Sequence, residues 1–196
     1  LGRTTPVDAH FGFGRGTPVD RHYIATFLDA HRGDIRGRVL EIGDNSYTRR
    51  FGSGVTKSDV LHVHAGNPYA TITGDLSQPG VLPEAAIDCA VITQTLHCVF
   101  DIGAAVRQLR DSLKPGGVAL VTLPLISQID RGEWGEGWYW GIAPAGAKKL
   151  FQDAFGGDVT IEVFGNVYAA TAFLQGLALE EVNRRKLMVR DTAYPV

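Results

Sequence analysis

The sequence predicts an α/β fold built on a doubly wound, mostly parallel sheet, from three observations. Short apolar runs alternate with helical patterns from Arg38 onward, the order that buries a parallel sheet between helices. The run "AIDCAVITQTL" is almost continuously apolar, as strands covered on both faces tend to be. Near the end, Gly165-Asn166 carries the dipeptide chemistry of a hairpin turn. That hairpin would bring the sheet to seven strands, one of them antiparallel.

The elements follow in order. Thr17 can cap a helix with Pro18 at its first position and Asp20 in its first turn, and Tyr23, Ile24, Phe27 and Leu28 then share a face. That helix is expected to end near Gly33. The earlier echo Thr5-Pro6-Val7-Asp8 reads as another helix start and is too brief for a repeat architecture. "RVLEIG", "GVTKSDVLHV", "ATITGDL", "AIDCAVITQTL" and "GVALVTLP" read as five strands. Ile102, Val106, Leu109 and Leu113 are spaced for one face of a helix stopped by "KPGG", and Pro144 starts another in "PAGAKKLFQDAFG". "DVTIEVFGNVYAATAFLQG" reads as the hairpin. The organisation expected is a leader at 1–37, the sheet domain at 38–176 and a charged helical tail at 177–196.

Composition narrows the partners. With 196 residues and 44% hydrophobic content, the chain supports one packed core. A formal charge of -2 with both signs interspersed offers no footprint for nucleic acid or an anionic membrane. No apolar run approaches the roughly 20 residues of a membrane span, so a soluble, cytoplasmic protein is expected. A homodimer is compatible with these features. Cys89 and Cys98, the two cysteines, read as buried thiols rather than a disulfide framework or metal cluster.

In a doubly wound sheet, ligands bind at the carboxyl ends of the strands. Glu41-Ile42-Gly43 ends the first strand, Asp59 lies in or just after the second, Asp75 follows the third and "LKPGG" precedes the fifth. Asp59 and Asp75 suit ribose hydroxyls and an adenine amino group, because those donors lose water on binding and need acceptors.

At these residues the chain resembles the class I S-adenosylmethionine-dependent methyltransferases, a Rossmann-like family. The resemblance runs from about Arg38 to Phe173 and is most specific from Ile87 to Pro124, where strand, helix and "LKPGG" turn follow in order. It implies S-adenosylmethionine as cofactor: Glu41 and Gly43 at the first motif, Asp59 on the ribose, Asp75 with Leu76 at the adenine, and Thr93 to Thr95 beside the methyl group. It also implies that the leader helix, which carries Arg21 and Tyr23, resembles the lid that some members fold over the cofactor, with plain packing the expected role of Tyr23. The leader "RGTPVDRHYI" is similar to those of bacterial methyltransferase-like proteins of sugar and natural-product pathways. The expected reaction is methyl transfer to a small-molecule acceptor, such as a hydroxyl of a sugar or glycosylated metabolite.

One departure stands out. Where the family has two further glycines, this chain has Asn45 and Tyr47. S-adenosylmethionine has no pyrophosphate, so the turn needs fewer glycines than a dinucleotide site, and Asn45 tolerates a positive φ. Tyr47 either points away or narrows the pocket, and the second outcome would leave a silent binding or assembly module, for instance beside a glycosyltransferase. A nicotinamide-dependent dehydrogenase fits less well, since the phosphate-binding glycines are missing.

The remaining candidates each have two readings. His97, after the fourth strand, is a general base or a buried, hydrogen-bonded histidine. Trp134, Trp138, Tyr139 and Trp140 form an acceptor-stacking surface or a plug that holds down a glycine-rich loop. His62 and His64 alternate as a metal pair would, without a third ligand. Arg49 and Arg50 read as surface charges, or as a partner for the cofactor carboxylate.

Overall fold

A computed structural model describes residues 2–196. Helix α1 (Val19–Ala30) leads into β1 (Gly37–Ile42), α2 (Ser46–Phe51), β2 (Val55–His62), β3 (Ile72–Thr73), β4 (Ile87–Thr93), α3 (Ile102–Ser112), β5 (Leu113–Thr122), α4 (Pro144–Phe155), α5 (Val167–Leu174) and α6 (Arg184–Leu187). The sheet has five strands in the order β3-β2-β1-β4-β5, and every neighbouring pair is parallel. Strand order reverses beside β1, which pairs with both β2 and β4, so the crevice above those two pairs is the switch point.

Strand periodicity divides the core into two layers. Leu40, Ala90 and Ile92 pack with Val106 and Leu109 of α3 and Phe151 of α4. Their neighbours Val39, Cys89 and Val91 face the other way, onto Ile24 and Leu28 of α1 and Phe51 of α2. Alternate side chains of a strand point to opposite faces, so a central strand covered by helices on both sides is apolar throughout. A third cluster ties α1 to the C-terminal segment through Val19, Tyr23, Phe173 and Leu187, and the Tyr23 hydroxyl donates to the Leu187 carbonyl at 3.1 Å.

The sheet therefore has five strands and no antiparallel member, where seven with a closing hairpin were expected. Residues 158–164 form no strand, and the second hairpin arm is the helix α5. Asn166 does not turn a hairpin; its side chain caps α5, accepting from the Ala169 N–H at 3.0 Å. Asn serves both turns and N-caps, and here the segment after it docks as a helix on Val19 and Tyr23 of α1. The tail from 177 holds only the four-residue α6. Thr17 does not cap α1 because its hydroxyl goes to Glu180 at 2.8 Å. Thr5 to Asp8 start no helix.

Candidate active site

The turn after β1 is held from below. Glu41 is buried and accepts from the Tyr47 N–H at 3.0 Å, the Thr48 N–H at 2.8 Å and the Thr48 hydroxyl at 2.6 Å. Burial pushes its carboxyl up from the usual range, and the hydrogen bonds from Thr48 and Tyr47 offset only part of that. Both oxygens are thus committed to the first turn of α2, and Glu41 walls neither of the two cavities described below. Gly43 has φ +79°, and a Cβ there would meet nothing within 4 Å, so backbone conformation together with open space above it accounts for the glycine. Asn45 sits at φ −118°, so the positive φ expected of it is not required. Tyr47 turns its ring into the core, stacked on Phe51 at 6.3 Å among the α1-side residues. The ring leaves the crevice open. Arg49 and Arg50 are exposed, the second lying 4.8 Å over Phe51.

Asp59 does not reach the crevice. It lies opposite Leu40 in mid-strand, buried, with Arg38 Nε at 2.6 Å, Lys57 Nζ at 3.2 Å and the Thr71 hydroxyl at 3.2 Å. Burial pushes its carboxyl up, but the bonds and charges of Arg38 and Lys57 outweigh that and hold it below the usual range. The carboxyl end of β2 is His62, three residues on. Thr93 walls neither cavity described below; its carbonyl accepts the Thr95 hydroxyl at 2.9 Å.

Two cavities adjoin at the strand ends. One, of about 290 Å³, is walled by Gly43, His62, Asp75, Leu76, Thr95, Phe100, Trp134 and Tyr139 among others. The other, of about 390 Å³, is walled by Asp20, Arg21, Gln94, Thr95, His97, Trp134 and Trp138 among others. Thr95 and Trp134 belong to both. Asp75 is fixed by the Ser77 N–H and hydroxyl, both at 2.8 Å on one oxygen, which leaves its second oxygen free of that turn. Gln94 adopts φ +46°, a rare conformation for a residue with a side chain, of the sort that collects at ligand sites.

The loop between β5 and α4 closes over both cavities. The Tyr139 and Trp140 N–H groups donate to the His97 carbonyl at 3.0 and 3.2 Å. Trp134 stacks on His64 at 6.2 Å and meets His62 edge-on at 6.2 Å. Trp138 lies 4.2 Å from the His97 ring. Trp140 walls neither cavity; its Nε1–H donates to the Val99 carbonyl at 3.0 Å, and its ring stacks on the exposed Phe100. So this one loop serves as a plug at Trp140 and as cavity wall at Trp134, Trp138 and Tyr139.

His97 is 2% exposed, its Nδ1 is buried without a hydrogen-bond partner, and burial pushes its pKa down to about 4. The imidazole is therefore neutral at pH 7. Asp20 Oδ1 is also buried and unpartnered, and burial, only partly offset by the Arg21 charge and local backbone N–H groups, pushes this carboxyl up. Two unsatisfied polar atoms at one apolar cavity are what a ligand's polar groups would complete. His62 Nδ1 lies 2.9 Å from the His64 carbonyl, and among the described residues no group of three or more His, Cys, Asp or Glu is placed to hold a metal. Cys89 is a buried thiol pushed up to about 12, and Cys98, at the cavities, is pushed up to about 11. The sequence reading gives Asp20 and His62 other roles, a first-turn acid and half of a metal pair, whereas both line the cavities. For His62 the signal was available, as the last apolar-flanked residue of its strand.

Residues 52–121 match the methyltransferase domain family. No curated protein matches the chain. Among solved structures, an S-adenosylmethionine-dependent methyltransferase from Archaeoglobus fulgidus superposes with a TM-score of 0.56 at 14% identity, over 74% of this chain and 73% of that one. The [4+2]-cyclase SpnF superposes with a TM-score of 0.56 at 19% identity, over 82% and 66%. Phosphoethanolamine N-methyltransferase 2 of Haemonchus contortus, solved in complex with S-adenosyl-L-methionine, gives 0.55 at 14% identity, over 72% and 38%. No helix of the described residues is long and apolar enough to cross a membrane. Residues 52–121 thus carry the sequence signature of a methyltransferase domain, and the chain shares the fold of the solved S-adenosylmethionine-dependent methyltransferase on which it superposes.

Proposed function

We propose that the chain binds S-adenosylmethionine across the two cavities and transfers its methyl group to a small-molecule acceptor, at a hydroxyl of a sugar or glycosylated metabolite. The observation that supports this reading is that the two cavities lie side by side at the switch point and share Thr95 and Trp134 in their walls. The smaller cavity suits the nucleoside. Asp75 and Leu76 stand at its adenine side, and the bare backbone of Gly43 permits close approach. His62 takes the strand-end place expected of Asp59: its Nδ1 lies 2.9 Å from the His64 carbonyl and 3.2 Å from the His64 backbone nitrogen, and in the tautomer that donates to the nearer carbonyl its Nε2 is an acceptor for a ribose hydroxyl.

Bound there, the cofactor would supply an electrophilic methyl group on a positively charged sulfur. The protein's work is then to hold the acceptor oxygen in line with that methyl and to remove water, which Trp134 and Trp138 do by walling the larger cavity. His97 Nδ1, neutral and unpartnered, takes the hydroxyl proton. Methyl transfer consumes one positive charge, so a proton arriving on His97 leaves the net charge of the cavity unchanged. That balance offsets the weak basicity that burial imposes.

A second reading, a binding or assembly module without catalysis, is favoured by one observation: the Asp59 carboxylate is spent on Arg38, Lys57 and Thr71. Calorimetric titration with S-adenosylmethionine and S-adenosylhomocysteine separates the two. Micromolar binding, about −8 kcal/mol, that collapses in Asp75→Ala supports the cofactor site. A folded protein that binds neither compound sinks the enzyme reading and supports the module.

A further inference from the structure

The larger cavity holds an adjacent acid and base that no step above uses. Asp20 and Arg21 are consecutive in the first turn of α1 and both wall the cavity. Asp20 is 9% exposed and its Oδ1 has no hydrogen-bond partner. Its other oxygen lies 3.6 Å from Arg21 Nη1, beyond hydrogen-bond length. The guanidinium stands 5.7 Å over the Phe13 ring. Each charge therefore keeps unused capacity: an oxygen without a donor and a fork of N–H groups without a close acceptor. The same cavity has an aromatic wall, where Phe11 is stacked on Trp138 at 5.9 Å.

We infer that this cavity binds an α-amino carboxylate group, its ammonium received by Asp20 Oδ1 and its carboxylate by the Arg21 guanidinium. A zwitterion is the complement of an acid and base side by side, because the ammonium supplies donors to Oδ1 and a planar carboxylate matches the guanidinium fork. A lone amine would face the Arg21 charge and a lone carboxylate would face Asp20, so both single-charge ligands are disfavoured. An arriving ammonium also favours the ionised carboxylate that burial alone opposes. This chemistry has two sources. One is the amino-acid half of the cofactor, an assignment that rests on the function proposed above. The other is an amino-acid acceptor whose apolar side chain lies against Phe11 and Trp138.

Calorimetry on the full chain with two ligand pairs tests the inference. S-adenosylhomocysteine is compared with 5′-methylthioadenosine, and L-phenylalanine with 2-phenylethanol. The zwitterionic member of one pair is expected to bind at least about tenfold tighter. Asp20→Asn and Arg21→Gln should each cut that preference to within about twofold while leaving the other member's affinity unchanged. A preference in the first pair assigns the group to the cofactor, and in the second to the acceptor. Equal binding within both pairs, or a preference that survives both substitutions, overturns the inference. If neither nucleoside binds while L-phenylalanine is still preferred, the cofactor reading fails and the zwitterion site stands. If both nucleosides bind equally and the second pair shows no preference, the reverse holds. The Arg21 side chain is 32% exposed, so Arg21→Gln carries the test should Asp20→Asn fold poorly.

Discussion

The Glu41 carboxylate accepts both the backbone N–H of Thr48, at 2.8 Å, and its hydroxyl, at 2.6 Å, so the acidic residue of the first motif is a support for the turn rather than a ligand contact. Glu41→Gln would turn an amide donor toward N–H and O–H donors, leaving buried groups unsatisfied. A loss of about 2 kcal/mol in urea denaturation is expected, against about 1 kcal/mol for Thr48→Val, which removes one hydroxyl. At a temperature where both variants stay folded, affinity for S-adenosylhomocysteine should change much less than in Asp75→Ala. An affinity loss equal to that of Asp75→Ala, with stability intact, would place the Glu41 carboxylate at the ligand instead.

Tyr47 stands where a glycine was expected, and its ring packs on Phe51 at 6.3 Å rather than into either cavity. Restoring the glycine should therefore do harm. Tyr47→Gly removes core contacts worth about 3 kcal/mol and loosens the first turn of α2. Cofactor affinity should not improve. Tighter binding of S-adenosylhomocysteine by this variant, measured by calorimetry, would show that the ring obstructs the site.

The difference between what was legible and what was not follows the range of the forces involved. "RVLEIG" and "IDCAVIT" could be read as buried strands because covering on both faces makes every residue apolar, a property local to the strand. The helix α4 began at Pro144 as its sequence signalled. The segment after Gly165-Asn166 could not be read, since Asn166 serves a turn or an N-cap equally well and only docking on α1 selects α5. The same holds for the site. Thr95, His97 and Trp134 lie where strand ends and a long loop put them, whereas Asp20 looks like any first-turn acid until the loop from β5 and the C-terminal segment close around it. Asp59 and His62 are three residues apart on one strand, and the choice between them turns on where pairing with β1 stops.

Burial pushes His97 down to about 4, below the ordinary value near 6.5. For a depressed histidine the stabilising contribution is fully present above the unfolded-state pKa and is lost as pH falls through the window from about 6.5 to about 4. Across that window the wild type should lose about 3 kcal/mol that His97→Gln does not. Denaturation of both proteins at pH 7.0, 5.5 and 4.5 checks this, together with the imidazole signal, which should show no midpoint between about pH 5 and 9. A midpoint near 6.5 would mean that the ring is solvated rather than enclosed in the cavity wall.

Arg38 and Asp59 form the other buried charge pair, 2.6 Å apart with the carboxylate 2% exposed. Arg38→Met leaves that carboxylate with only Lys57 and Thr71, and a loss of about 2 kcal/mol at pH 7 is expected. The Asp59 carboxyl is held below its ordinary range, so its contribution is present above the unfolded-state pKa near 3.9 and is lost as pH falls through the lower folded-state value. The gap between wild type and Arg38→Met should therefore narrow in acid. Replacing both partners, Arg38→Met with Asp59→Leu, should recover much of the stability, because no unpaired charge then remains buried. Ligand affinity should follow neither change, since the pair lies beneath the strand ends rather than in a cavity. If Asp59→Asn abolishes S-adenosylhomocysteine binding while its urea midpoint stays at the wild-type value, the ribose carboxylate is Asp59 after all, and His62 is not its replacement.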